Sequence, residues 1–141
     1  MHKQVFALIL VDQITKLIFW SRDFFITPFI HIHSVQNYGL ALSLDFGLLP
    51  NLVIIIGALG FFVYYYFQHR HQFSWLTQVS FIFIFAGAIS NLVDRLYLGF
   101  VRDFIDMGLG FTFNLADAML ILGLIGFLAL QKDSKGDIIE L

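Results

Sequence analysis

Four long apolar stretches, at about residues 5–20, 48–67, 73–92 and 112–130, leave this chain few ways to fold. Each approaches the roughly 20 residues with which an α-helix crosses about 30 Å of hydrocarbon. Composition points the same way: 59% of residues are hydrophobic, 13% are charged and the mean hydropathy is +0.83, whereas ordinary soluble domains carry roughly 25% charged residues. The expected fold is a mainly α membrane protein, a single integral membrane domain over residues 1–141 with four transmembrane helices and a small β-rich segment at about 23–46.

Other classes recede on the same grounds. A net charge of −2 offers no basic surface for nucleic acid. With no cysteine, disulfides and thiolate chemistry within the chain are excluded. The first apolar stretch imitates a secretory leader, with Lys3 ahead of an apolar run, but Asp12 and Gln13 interrupt its core and no small-x-small cleavage site follows. It is expected to remain as the first helix.

The segment "FIHIHSVQ" alternates, placing Ile30, Ile32 and Ser34 on one face and His31, His33 and Val35 on the other. With Pro28 just before it, a short strand or hairpin is expected. Such backbone must lie at or outside the membrane surface, or against protein, because lipid satisfies no peptide groups. Phe24, Phe25, Phe29 and Ile30 suit a surface element that cradles a substrate or anchors the protein. The tail "QKDSKGDIIEL" reads as a solvated end.

Polar residues inside the apolar stretches need a partner or a task, since an aspartate at a helix centre costs about 2.5–3.5 kcal/mol on insertion scales. Asp12 and Lys16, spaced i, i+4, share a helix face and can pair. Asn91 with Asp94 and Arg95 at the end of the third helix, and Asn114 with Asp117 on the fourth, bring amides and acids to one membrane level. Asp94 is expected to hold its neighbour Arg95.

Asp103 lies in the connection between the last two helices, and "GFVRDF" is apolar enough to fold back on the bundle. A turn can then set Asp103 opposite Asp117. Two carboxyls within about 3 Å share a proton: the ionised one takes a proton from water while the protonated one donates to a carbonyl oxygen. Aspartic proteolysis is therefore available to this pair, with ion coupling and structural pairing as alternatives.

Serine hydrolysis lacks a helical histidine as base, and H-E-x-x-H is absent. His31 with His33 and His69 with His71 read as surface histidines, so no metal site is expected; Asp106 reads as a solvated loop acid. A proton- or ion-coupled transporter would be expected to show internal repeats, and none is evident. A purely structural subunit leaves the acids without a purpose.

Taken in order, "DQITK" at 12–16, "NYGLA" at 37–41, "NLVDRLYLGFVRDF" at 91–104 and "FNLAD" at 113–117 resemble the motif series of bacterial lipoprotein signal peptidase, or signal peptidase II. The resemblance spans about residues 8–130. It implies an aspartic endopeptidase that removes the signal peptide of prolipoproteins before a diacylglyceryl-modified cysteine, using a water activated by two aspartates and no cofactor. It also implies a monomer in the bacterial inner membrane, surrounded by lipid, with both termini cytoplasmic, an extracytoplasmic sheet and the active site near the outer leaflet. Charge alone leaves that orientation close to balance, with Lys3, Arg70, Lys132 and Lys135 facing Arg22, Arg95 and Arg102.

Carried over by motif, Asp103 and Asp117 are the catalytic acids. Asn37 and Gly39 line the substrate pocket, Asn91, Arg95 and Asn114 surround the dyad, and Asp12 and Lys16 support fold and pocket. Departures from the family pattern fall at Leu40, Leu42 and Ser90.

Overall fold

The computed structural model describes residues 1–40 and 44–136, the stretch beyond 130 by backbone alone. Leu42 and residues 137–141, the end of the expected solvated tail, lie outside the described residues, while residues 131–136 continue the last helix. Four helices, α1 (His2–Phe19), α2 (Leu48–His69), α3 (Trp75–Leu98) and α4 (Leu115–Gly136), alternate with β1 (Asp23–Thr27), β2 (Ile30–Asn37), β3 (Val101–Asp106) and β4 (Thr112–Phe113). Of the helices, α2 and α3 are long and apolar enough to cross a bilayer, and α4 carries a shorter apolar run over 115–130.

Local chemistry sets the helix ends. The backbone of Gly47 at φ 89° opens α2, and Pro50 falls in the first turn, where its missing N–H costs nothing. Ser74 caps α3 by accepting the Thr77 amide at 3.2 Å, and Gly99 closes it in the left-handed conformation. At α4, Asn114 and Asp117 form a reciprocal capping box: each backbone amide donates to the other side chain, at 3.1 and 3.0 Å. α3 runs six residues past the expected end at 92, so Asn91, Asp94 and Arg95 lie inside it. Thr112 and Phe113, expected in the fourth helix, instead form a strand.

The strands make one antiparallel sheet in the order β1-β2-β3-β4. It sits at the end of the bundle where α1 and α3 finish and α2 and α4 begin; the start of α1, the end of α4 and the α2–α3 turn occupy the other end. Among the described residues of 23–46, strand structure stops at Asn37, and the connection after α3 supplies the other half of the sheet. A bulge on β2 places Ile32 opposite Ile105 but Val35 opposite Asp103, which breaks the expected strict alternation. Beyond it, Asn37 pairs with Val101, so Asn37 shares a sheet face with Asp103.

Helices α3 and α4 pack through small residues. A Cβ on Gly87 would stand 2.4 Å from the Ala116 carbonyl oxygen, and one on Gly123 would stand 2.8 Å from that of Ser80. Backbones this close are how apolar helices associate where lipid offers no hydrophobic drive. α2 packs chiefly on α3 and leaves most of its apolar surface exposed, as a lipid-facing helix does.

Gly123→Leu should therefore force α3 and α4 apart and lower the unfolding temperature in detergent, read from Trp20 and Trp75 fluorescence. Gly57→Leu, with nothing within 4 Å of its added Cβ, should leave that temperature unchanged. Equal melting of the two variants would contradict the close α3–α4 contact.

Candidate active site

Lys16 is fully buried, and its three ammonium donors meet three acceptors. Its Nζ lies 2.8 Å from Asp12 Oδ2, 3.3 Å from Asp94 Oδ2 and 2.8 Å from Asn91 Oδ1. Asp12 is fully used as well: Oδ2 also accepts the Ser90 hydroxyl at 2.6 Å, and Oδ1 accepts the Ala116 amide at 2.8 Å in the first turn of α4. The i, i+4 pair read from sequence thus exists, and it ties α1 to both α3 and α4. Ser90 thus contributes a buried hydroxyl to the junction.

Asp94 does not hold Arg95, because successive residues on a helix point about 100° apart. Its carboxylate instead receives Arg102 through the backbone amide at 3.0 Å, Nε at 3.3 Å and Nη2 at 2.7 Å, together with Gln13 Nε2 at 3.0 Å. Gln13 returns Oε1 to Arg102 Nη2 at 2.7 Å. The junction therefore balances two cations, Lys16 and Arg102, against two anions, Asp12 and Asp94, all buried. Neither Gln13 nor Arg102 was anticipated as part of it; a glutamine within an apolar helix was the available signal.

Through Asn91 and Asn114 the junction reaches the second pair of acids. Asn91 Nδ2 donates to Asp117 Oδ1 at 2.7 Å. Asn114 Nδ2 donates to Asp103 Oδ1 at 2.6 Å and to Asn91 Oδ1 at 3.2 Å. From the other side Asn37 Nδ2 reaches Asp103 Oδ2 at 2.9 Å while its Oδ1 accepts the Gly39 amide. Arg95 turns to the Gly39 carbonyl at 2.6 Å, and its Nε has no hydrogen-bond partner among the described residues. All eight flanking positions expected from sequence, together with both acids, thus belong to one connected network.

Asp103 and Asp117 open on a cleft of about 890 Å³ between α2, α4 and the sheet, whose charged lining is Asp45, Arg95 and the two acids. Asn51, fully buried in α2, shapes its rim by donating to the Tyr38 carbonyl and to Asp45 Oδ1. Sequence reading passed over both residues, although an amide in so apolar a helix is conspicuous. Burial pushes the Asp103 carboxyl up to about 7, the nearby Asp117 carboxylate adds to the rise, and the Asn37 and Asn114 amides oppose it.

These residues sit in a chain whose sequence matches, over residues 4–131, the profile of Signal peptidase (SPase) II. The chain belongs to the signal peptidase II family. It is an aspartic-type endopeptidase. The peptidase is 38% identical over 136 residues to the lipoprotein signal peptidase of Thermodesulfovibrio yellowstonii, covering 87% of this chain and 88% of the relative. It is 32% identical over 155 residues to that of Staphylococcus aureus strain RF122, covering 96% and 95%. A bacterial membrane enzyme solved by the in meso method at 2.3 Å superposes with a TM-score of 0.82 at 33% identity, covering 98% of this chain and 91% of that one.

Replacing Lys16 by Met would leave Asp12 and Asp94 short of a buried cation, a loss of about 3–5 kcal/mol for a broken buried pair. The peptidase should then melt well below wild type in detergent, whereas exposed Lys3→Met should not change its melting. An unaltered Lys16→Met melt would contradict the role of this junction.

Proposed function

We propose that the peptidase cleaves prolipoproteins before a diacylglyceryl-modified cysteine, with Asp103 and Asp117 as the catalytic dyad. The observation that carries this reading is the cleft onto which Asp103 and Asp117 both open, each acid gripped by asparagine amides rather than by a cation; burial, which raises the Asp103 carboxyl to about 7, fits it. In the resting pair one carboxyl holds a proton and the other is ionised. The ionised member takes a proton from water, whose oxygen adds to the peptide carbonyl carbon as the protonated member donates to the carbonyl oxygen. Collapse breaks the C–N bond, the amine leaves with a proton returned from the dyad, and no covalent enzyme intermediate forms. Arg95, which lines the cleft and donates to the Gly39 carbonyl, positions the substrate backbone, while Gly39 and Asn37 shape the pocket wall.

The relatives' name, lipoprotein signal peptidase, supports the substrate class. So does the shape of the cleft: polar at the acids, it continues into an apolar wall of Ile54, Leu59 and Leu124. Acyl chains would lie along that wall and enter between α2 and α4 from the bilayer. In this reading all four helices cross the inner membrane as a single integral domain over 1–141, monomeric and in contact with lipid. Both termini are cytoplasmic, and the sheet and dyad lie near the outer leaflet. The β1–β2 hairpin, with Phe25 and Phe29 at 66% and 80% exposure, then rests on the membrane surface beside the arriving substrate.

Cleavage of a diacylglyceryl-modified prolipoprotein by the purified peptidase tests the dyad. Asp103→Asn and Asp117→Asn should each lower turnover by about a thousandfold or more while the protein still inserts, the scale of losing a group the reaction needs. Unlipidated substrate should be cleaved poorly by the wild type. Substantial turnover by either variant would overturn the assignment.

The same proton fixes the pH dependence. A carboxyl raised to about 7 stays protonated below that pH and loses its proton above it, so kcat/KM should fall as pH rises through about 7, with one proton lost. A profile flat to pH 9 would count against a shared proton. Phe29→Ser should raise KM several-fold with kcat unchanged; unchanged KM would leave the hairpin as an anchor only.

A further inference from the structure

Opposite the face of β3 that presents Asp103, the sheet assembles a second group of ionisable side chains that proteolysis does not use. Strand register sets His31 across from Asp106 and Asp23 across from His33, so all four share one face. His31 Nε2 lies 2.8 Å from Asp23 Oδ1, and His33 Nε2 lies 3.3 Å from Asp106 Oδ2. The ligand atoms of His31, His33 and Asp106 fall within 4.8 Å of one another. These residues are neither the isolated surface histidines nor the solvated loop acid expected from sequence: two strands far apart in the chain bring them together.

We propose that His31, His33 and Asp106 bind one divalent transition-metal ion of the Zn²⁺ class, with Asp23 as fourth ligand. Two imidazoles and carboxylate oxygen form a donor set typical of zinc, at bond lengths of about 2.0–2.2 Å in a tetrahedral arrangement. Tetrahedral ligand atoms stand about 3.5 Å apart at such bond lengths, so His31, His33 and Asp106 need to close by only about 1 Å around an ion, and exposed Asp23 would swing in from its contact with His31. The surroundings are organised for that closure. The Gly108 amide donates to Asp106 Oδ1 at 2.7 Å, while Oδ2 lies 3.3 Å from His33 Nε2. Phe25 stacks on His31 at 4.1 Å, and His31 stacks on His33 at 4.6 Å, which holds the two imidazole planes side by side.

An ion here joins β1 and β2 to the far end of the strand that carries Asp103. It lies away from the cleft, on the other face, and takes no part in the proton transfers proposed for the dyad.

The test is a titration of the full-length, untagged, metal-stripped protein in detergent with Zn²⁺ alone, followed by calorimetry and by competition with a chromophoric chelator. One ion should bind, and bound Zn²⁺ should raise the unfolding temperature. Asp106→Asn and His31→Gln should each weaken binding by about tenfold or more, a loss seen even for outer-shell partners of metal sites. His69→Gln with His71→Gln should bind as wild type. If Asp106→Asn or His31→Gln loses its native circular dichroism without metal, His33→Gln carries the comparison. Absence of stoichiometric binding by the wild type, or binding that survives these substitutions unchanged, would overturn the proposal.

Discussion

The buried ammonium of Lys16 is the contact on which the rest of this structure depends. An isolated cation at that depth would be prohibitive, yet each of its donors has an acceptor, and those acceptors lie on α1 and α3. Asp12 extends the tie to the α4 N-terminus, and Asp94 extends it to β3 through Arg102. One neutral cluster of two cations and two anions thereby fixes three helices and a strand relative to one another. The elements it fixes include those that carry Asp103 and Asp117.

The four acids near the centre differ by what surrounds them rather than by residue type. Asp12 and Asp94 face cations directly, which commits them to holding the fold. Asp103 and Asp117 receive amide donors from Asn37, Asn91 and Asn114. Amides orient a carboxyl and favour its ionised form less strongly than a full cation does, which suits the proton exchange proposed for this pair. Placing the two kinds of pair side by side, linked by Asn91, lets a rigid junction aim a chemically adaptable one.

Sequence made the helices legible because apolar run length and capping residues are local properties. Asp12 with Lys16 and Asn114 with Asp117 were equally plain, since helical spacing dictates their shared faces. The sheet was harder. "VRDFID" shows no apolar alternation because both faces of β3 carry charge, Arg102 toward the junction and Asp103 toward the cleft. Adjacency misled at Asp94 and Arg95, where the real partner, Arg102, arrives only after the Gly99 turn reverses the chain. Gln13 and Asn51 were visible as polar residues in greasy helices, but their partners lie 81 and 13 residues away and no local rule connects them. The bulge on β2, which sets Asn37 beside Asp103, left no mark in the alternation of "FIHIHSVQ".

The proposed chemistry requires Asp103 and Asp117 to share one proton near neutral pH. Its most direct test is an infrared titration of the purified protein, following the carbonyl band of protonated carboxyl groups in wild type and in Asp103→Asn. The wild type should show a protonated carboxyl that persists to about pH 7 and is absent from the variant. A wild type with no protonated carboxyl above pH 5, or a variant that keeps the same band, would contradict it.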